Sequence, residues 1–129
     1  MKKIIPVTII TILLITIVIM EQVFVHSTLS SLKEKVEDID FAVKSNSKID
    51  SENILTDINN LDEYWTSKER ILCLSINHND LNSIGEQIKK IKAYINQDKK
   101  EETLLEIELL IFYIDNYRHV MGISPQNIL

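Results

Sequence analysis

Apolar residues form an unbroken run at the start of the chain and a periodic pattern in the rest of it. Residues 4–20 (IIPVTIITILLITIVIM) carry no charge, and Lys2 and Lys3 precede them. As a helix this run spans about 25 Å at about 1.5 Å per residue, close to a hydrocarbon core of about 30 Å. Three more apolar residues after Gln22 can extend the helix into the interface. The run therefore predicts a transmembrane helix over residues 4–25.

Two interpretations fit this segment, a cleaved signal peptide and an uncleaved anchor. A cleavage site requires small residues in an Ala-x-Ala-like pattern, and the residues after Met20 read Glu-Gln-Val-Phe-Val-His. The anchor is therefore favoured. The positive-inside rule places residues 1–3 in the cytoplasm and residues 26–129 outside. We expect a single-pass protein of the cell membrane with the bulk of the chain extracytoplasmic.

From Val25 onward, apolar residues return at every third or fourth position, which is the period of a helix that buries one face. No Pro or Gly separates the first series from the anchor, so one long helix is predicted to continue to about Lys44. Polar breaks at 45–48, 77–80 and 96–100 separate three further series. The four series are Val25, Leu29, Leu32, Val36, Ile39 and Val43; Leu55, Ile58, Leu61, Trp65, Leu72 and Ile76; Leu81, Ile84, Ile88, Ile91 and Ile95; and Leu104, Ile107, Leu110, Ile111, Ile114, Tyr117 and Met121.

The predicted fold is all-α, with a single N-terminal transmembrane helix extended into a stalk and a small antiparallel helical bundle within residues 26–129. The 2 glycines and 2 prolines support this, because turn-rich folds need more of both. Asp98 and Glu101 have capping-box spacing at the start of the last helix. Further apolar residues widen the apolar face of that helix, which is expected to be the most buried. They are Leu105, Leu109, Phe112 and Tyr113.

Charge and cysteine content narrow the function classes. The net charge is −5, and all 19 acidic residues follow Met20. An acidic domain repels phosphate backbones, so no nucleic-acid partner is expected. Cys73 is the single cysteine and lies between two leucines, which favours a buried small side chain. An intermolecular disulfide is the alternative.

Four segments carry a resemblance to a known family. They are the apolar anchor, Trp65-Thr66-Ser67-Lys68-Glu69-Arg70, the run ending Ile76-Asn77-His78-Asn79-Asp80-Leu81, and Asn127-Ile128-Leu129. Together they resemble the domain of unknown function family 4363 over nearly the whole chain. The resemblance implies a short membrane-anchored helical protein of a spore-forming Gram-positive bacterium. It implies no activity, and it suggests a multi-pass membrane protein as a partner.

Catalytic and metal chemistry find little support in the sequence. His26, His78 and His119 are far apart, and no pair has the spacing of helical metal ligands. No nucleophile or metalloprotease motif is present. His78 with Asp80 could take part in metal or acid–base chemistry, but capping of a helix corner is the favoured interpretation. We therefore expect no enzyme activity, metal or cofactor.

Two groups of residues are candidates for interaction. Trp65 and Arg70 belong to residue types enriched at binding hot spots, although Trp65 also fits an apolar series and is more often a core residue there. His78 is a weaker candidate. The C-terminal residues can tuck into the bundle, which is favoured, or dock on a partner. They are Asn127, Ile128 and Leu129.

Two functions from different classes remain open. The first is a structural or interaction accessory of a membrane protein complex, through a multi-pass partner or self-association. The apolar seam that continues the anchor favours this function. The second is an extracytoplasmic ligand-sensing or ligand-binding domain that acts through a partner, because residues 1–3 alone leave no room for a cytoplasmic output domain.

Overall fold

The computed structural model describes residues 2–74 and 76–121, and within them the chain is helical without a strand. The described residues form four helices, and the predicted all-α class is confirmed. They are α1 (Ile4–Ser45), α2 (Glu52–Leu72), α3 (His78–Asn96) and α4 (Lys100–Met121).

Helix α1 runs without interruption for 42 residues, so the predicted anchor and the predicted stalk are one helix. The three threonine hydroxyls of its apolar run are satisfied within the helix: Thr8, Thr11 and Thr16 each donate to the carbonyl four residues earlier at 2.8 Å. Every side chain from residue 2 to residue 20 is exposed. The length and apolarity of α1 make it a candidate membrane span, although an N-terminal signal sequence has the same properties.

The outer half of α1 is a member of a four-helix bundle. Helices α1 and α3 each pack against both α2 and α4, and the short connections make neighbouring helices antiparallel. At the far end, Lys100 Nζ donates to the Asn46 carbonyl at 2.7 Å. Near the anchor, Lys68 Nζ lies 5.7 Å from the centroid of the Phe24 ring. The end of α2, the start of α3 and the end of α4 therefore lie beside the anchor.

The core follows the predicted apolar series closely. Differences occur in α2, where Ile54 is buried and Leu55 is only half-buried, and in α4, where Leu104, Ile111 and Tyr117 are only half-buried. Ile49, in the connection between α1 and α2, is also buried and belonged to no predicted series. The core thus closes over the end of the bundle that lies far from the anchor.

Trp65 is the largest core residue and sets the spacing between α2 and α3. Its side chain is 1% exposed, and a Cβ added to Gly85 would lie 3.2 Å from its Nε1. Such a contact is tighter than most real Cβ contacts, so the glycine allows α3 to approach the indole closely. The indole Nε1 is buried and has no hydrogen-bond partner among the described residues.

Asp98 does not cap α4, so the predicted capping box with Glu101 is wrong. The residue has a φ of 55°, in the left-handed region, because the three-residue turn between α3 and α4 reverses the chain there. Aspartate tolerates this conformation better than most residues. Its Oδ1 accepts a hydrogen bond from the Ile49 backbone N–H at 2.7 Å. Asp98 thereby joins two connections at the far end of the bundle.

Substitution of Asp98 tests this link. Asp98→Ala removes the acceptor for the Ile49 N–H. It also removes the short polar side chain that makes a positive φ tolerable at this position. We expect the free energy of unfolding to fall by about 2 kcal/mol. Asp98→Asn keeps an acceptor oxygen and should lose less than half of that. Urea denaturation of the full-length chain in detergent, followed by circular dichroism, measures both. Equal losses in the two variants would contradict a role for the hydrogen bond.

Cys73 is exposed, which corrects the expectation of a buried thiol. It follows Leu72, which takes the core position at the end of α2, and one residue on a helix turns the next side chain by about 100°. The thiol donates to the Arg70 carbonyl, with Sγ and O 2.8 Å apart.

Candidate interaction surface

Helix α4 has apolar side chains on two opposite faces. Its core face is formed by Thr103, Ile107, Leu110 and Ile114. Leu105, Leu109 and Phe112 face outward and are 65%, 38% and 64% exposed. The expectation that these residues widen the buried face is therefore wrong. The reason is geometric, because residues two apart on a helix point about 200° apart.

The three outward residues form a surface that we name the α4 outer stripe: Leu105, Leu109 and Phe112. Their spacing is four and then three, which is the spacing of a seam that packs against another helix. No described part of the chain covers this face, as their exposure shows. The sequence contained the signal, since these residues have a helical period of their own, offset from the core series.

Acidic residues flank the α4 outer stripe. Glu101 and Glu108 lie seven residues apart on one side of it, and both are exposed. Asp115 continues that row, with Oδ1 2.8 Å from Lys33 Nζ. On the other side, Glu106 Oε1 lies 3.4 Å from Lys90 Nζ, and Glu106 also accepts a hydrogen bond from the buried Gln87 amide. Glu101, Glu102 and Glu108 are all exposed beside the stripe, and Glu108 interacts electrostatically with Lys44 of α1.

Trp65 and Arg70 do not form a surface pair. The indole lies in the core, so Trp65 is not accessible for docking in this fold. Arg70 is exposed in the last turn of α2. His78 is exposed at the first position of α3, close in the chain to the end of α2. An interaction role for Arg70 or His78 stays a prediction.

The cap of α3 is Asn77, which corrects the capping role expected of His78 and Asp80. The Asn77 side chain accepts a hydrogen bond from the Asn79 backbone N–H at 2.9 Å. Asp80 is acidic in the first turn and lies near Tyr117 of α4. Burial, followed by the nearby Asp80 carboxylate, raises the pKa of the Tyr117 hydroxyl above its usual value.

The predicted C-terminal candidates lie outside the described residues. They are Asn127, Ile128 and Leu129.

Three surface depressions on the bundle are open to solvent and have charged side chains among the residues that line them. One lies between α1 and α2 and is lined by Lys35, Asp38, Asp57 and Asn60 together with two core residues. Others lie along α2 near Arg70 and between α3 and α4 near Tyr113. Within residues 2–74 and 76–121, no three His, Cys, Asp or Glu side chains are arranged to hold a metal ion. None of these three depressions is an enclosed cavity.

Comparison with known proteins identifies one family. A family model described as a domain of unknown function, family 4363, matches residues 19–128. The matched region begins near the end of the apolar run and includes the whole bundle. No curated protein and no solved structure matches the chain.

Proposed function

The chain belongs to the domain of unknown function family 4363, and from the structure we propose that it is a membrane-anchored interaction subunit, an accessory of a membrane protein complex. The observation that carries the proposal is the α4 outer stripe. Its three large apolar side chains have the spacing of a helix-pairing seam and are exposed to solvent. The bundle already has a core formed by the other faces of its helices. Exposed apolar patches of this kind mark interaction sites more often than isolated exposed leucines do.

The proposed topology follows from α1. Of the predicted span 4–25, residues 4–20 are fully exposed and lie in the bilayer, whereas residues 21–25 begin to pack on the bundle. Lys2 and Lys3 lie on the cytoplasmic side, and the bundle lies outside. The resemblance to short anchored proteins of spore-forming Gram-positive bacteria supports the cell membrane as the location. In this arrangement the α4 outer stripe lies between the far end and the middle of the bundle, away from the membrane surface.

We propose a multi-pass membrane protein as the partner, with an extracytoplasmic helix that has an apolar face and basic flanks. Basic flanks complement the exposed carboxylates of Glu101 and Glu108. Pairing of two copies through the same stripe would bring like charges together, which disfavours self-association. The family resemblance, which suggests a multi-pass membrane protein as a partner, supports the same choice.

Photocrosslinking in native membranes tests this function. A photoreactive phenylalanine analogue at Phe112 is expected to give one discrete adduct with a second membrane protein, identified by mass spectrometry. Leu105→Ser with Leu109→Ser should remove most of that adduct, because each substitution deletes apolar area from the stripe. Both leucines are exposed, so the unfolding free energy should change by less than about 0.5 kcal/mol per site.

The matched control is the same analogue at Thr56. This residue is exposed on α2, which packs against α1 and α3 on the other side of the bundle. It should give no discrete adduct. An adduct between two copies of this chain would overturn the choice of partner. If the analogue gives no adduct at Phe112 and none at Thr56, the interaction function itself is overturned.

A ligand-sensing role is the less favoured function. Small-molecule sites are usually concave and largely apolar, and they bury most of the ligand. The depressions described above are open and lined chiefly by charged or amide side chains. No specific observation favours ligand sensing over the interaction function supported by the α4 outer stripe.

A further inference from the structure

A second apolar feature lies at the end of α2. Ile71 and Leu74 are 50% and 82% exposed, while Leu72 between them is fully buried. The backbone here is held in place, since the Leu74 N–H donates to the Ile71 carbonyl at 3.2 Å and the Ile76 N–H donates to the Leu72 carbonyl at 2.9 Å. Two aliphatic side chains are thus presented outward from an ordered turn. We name Ile71, Cys73 and Leu74 the α2 terminus.

The α2 terminus lies at the level where the apolar run of α1 ends. Side chains are exposed through Met20, and half-burial begins at Glu21, so the bundle starts with no spacer after the run. Lys68 of α2 contacts the Phe24 ring of α1. Ile71 is three residues farther toward the anchor, an axial distance of about 4.5 Å, which is also the distance from Phe24 to Glu21.

This level corresponds to the interfacial region of a bilayer. The hydrocarbon core is about 30 Å thick and the whole bilayer about 40–45 Å, which leaves about 5–7 Å of interface on each side. An ordered turn within that layer can place aliphatic side chains at the boundary of the acyl chains. The neighbouring Arg70 is exposed and can reach lipid phosphate, as basic side chains at membrane surfaces do.

We propose that Ile71 and Leu74 insert into the interface of the bilayer that α1 crosses, which makes the α2 terminus a second membrane contact. This inference rests on the proposed anchoring by α1. We infer that lipid contacts Ile71 and Leu74, because they lie at the height along α1 where its exposed apolar run ends. The second contact opposes any tilt of the bundle that would lift the α2 terminus out of the interface.

The native Cys73 provides the probe for the test, because it is exposed beside Leu74 and is the single cysteine of the chain. The full-length protein is labelled there with an environment-sensitive fluorophore and reconstituted into vesicles of phosphatidylcholine and phosphatidylglycerol. We expect several-fold stronger quenching by a lipid with a nitroxide near its headgroup than for a probe at the far end of the bundle. Quenching by aqueous iodide should be several-fold weaker at Cys73 than at the far end of the bundle.

The far-end control is Ser47→Cys in a Cys73→Ser background, because Ser47 is exposed in the connection between α1 and α2. Ile71→Ser with Leu74→Ser, labelled at Cys73, should lose most of the lipid quenching and gain iodide quenching. Equal iodide quenching at the two labelled positions would overturn the proposal. Protection from iodide without lipid quenching would overturn it as well, and would point to cover by residues 122–129 or by a protein.

Flotation of the same vesicles separates this inference from the anchoring on which it depends. Protein that fails to float with the vesicles contradicts the anchor. Protein that floats while the Cys73 probe remains in water contradicts the α2 terminus alone.

Discussion

Trp65→Ala is expected to lower the free energy of unfolding by about 3–5 kcal/mol, the usual cost of deleting a large buried aromatic side chain. The indole is 1% exposed and packs where α2 meets α3. Its removal leaves a cavity that the surrounding isoleucines and leucines can only partly fill. Thermal and urea denaturation of the full-length chain in detergent, followed by circular dichroism, measure the change. A loss below about 1 kcal/mol would mean that the indole is not a packed core group.

Gly85 provides a sharper version of the same experiment. Gly85→Ala alone gains up to about 1 kcal/mol of helix propensity but brings a Cβ to 3.2 Å from the indole. In a Trp65→Phe background the smaller ring gives way, so the same substitution should be more favourable there. We expect a coupling free energy of about 0.5–1.5 kcal/mol between the two positions. Additive effects would contradict the close approach of α3 to the indole.

Removal of residues 2–20 is expected to transfer the protein almost completely from the membrane fraction to the soluble fraction. Residues 4–20 supply the uncharged run, and an inserted transmembrane helix is effectively irreversible compared with a surface contact. The bundle should survive the deletion, because every side chain in that segment is exposed and none packs on the core. Its unfolding free energy should stay within about 0.5 kcal/mol of the full-length value.

Flotation with vesicles and urea denaturation are the two measurements. Ile12→Leu, which preserves the apolar run, is the matched control and should float like the unaltered protein. Flotation of the truncated chain at full yield would contradict the anchor. Loss of the helical signal in the truncated chain would instead show that the bundle depends on the N-terminal part of α1.

Apolar periodicity predicted the main architecture. The core series of α1 and α3 are buried as expected, because a helix that packs against two neighbours has one core face and a fixed period. The uninterrupted α1 was also predictable, since no Pro or Gly interrupts it between Met20 and Ser45. These features depend on local sequence and on one repeating contact.

The structure differs from the sequence predictions at residues whose burial or hydrogen bonding depends on how the helices pack together. Cys73 lies between two leucines in the sequence, but only Leu72 has the core angle at the end of α2. Asp98 is a residue type that commonly caps helices, yet the turn requires a left-handed backbone there. Its carboxylate accepts a hydrogen bond from Ile49, 49 residues away in sequence. In α4, two apolar faces overlap in sequence, and the neighbouring helices decide which of them is buried.

With α1 anchored as proposed, its unbroken course would transmit any tilt of the membrane span directly to the bundle. The part of α1 beyond Met20 is about 37 Å long at about 1.5 Å per residue, and the other three helices brace it. A change of about 10° in the tilt of the span would displace the far end of the bundle by about 6.5 Å over that length. Because tilt responds to hydrocarbon thickness, thinning or thickening of the membrane would move the α4 outer stripe relative to a partner fixed in the same membrane.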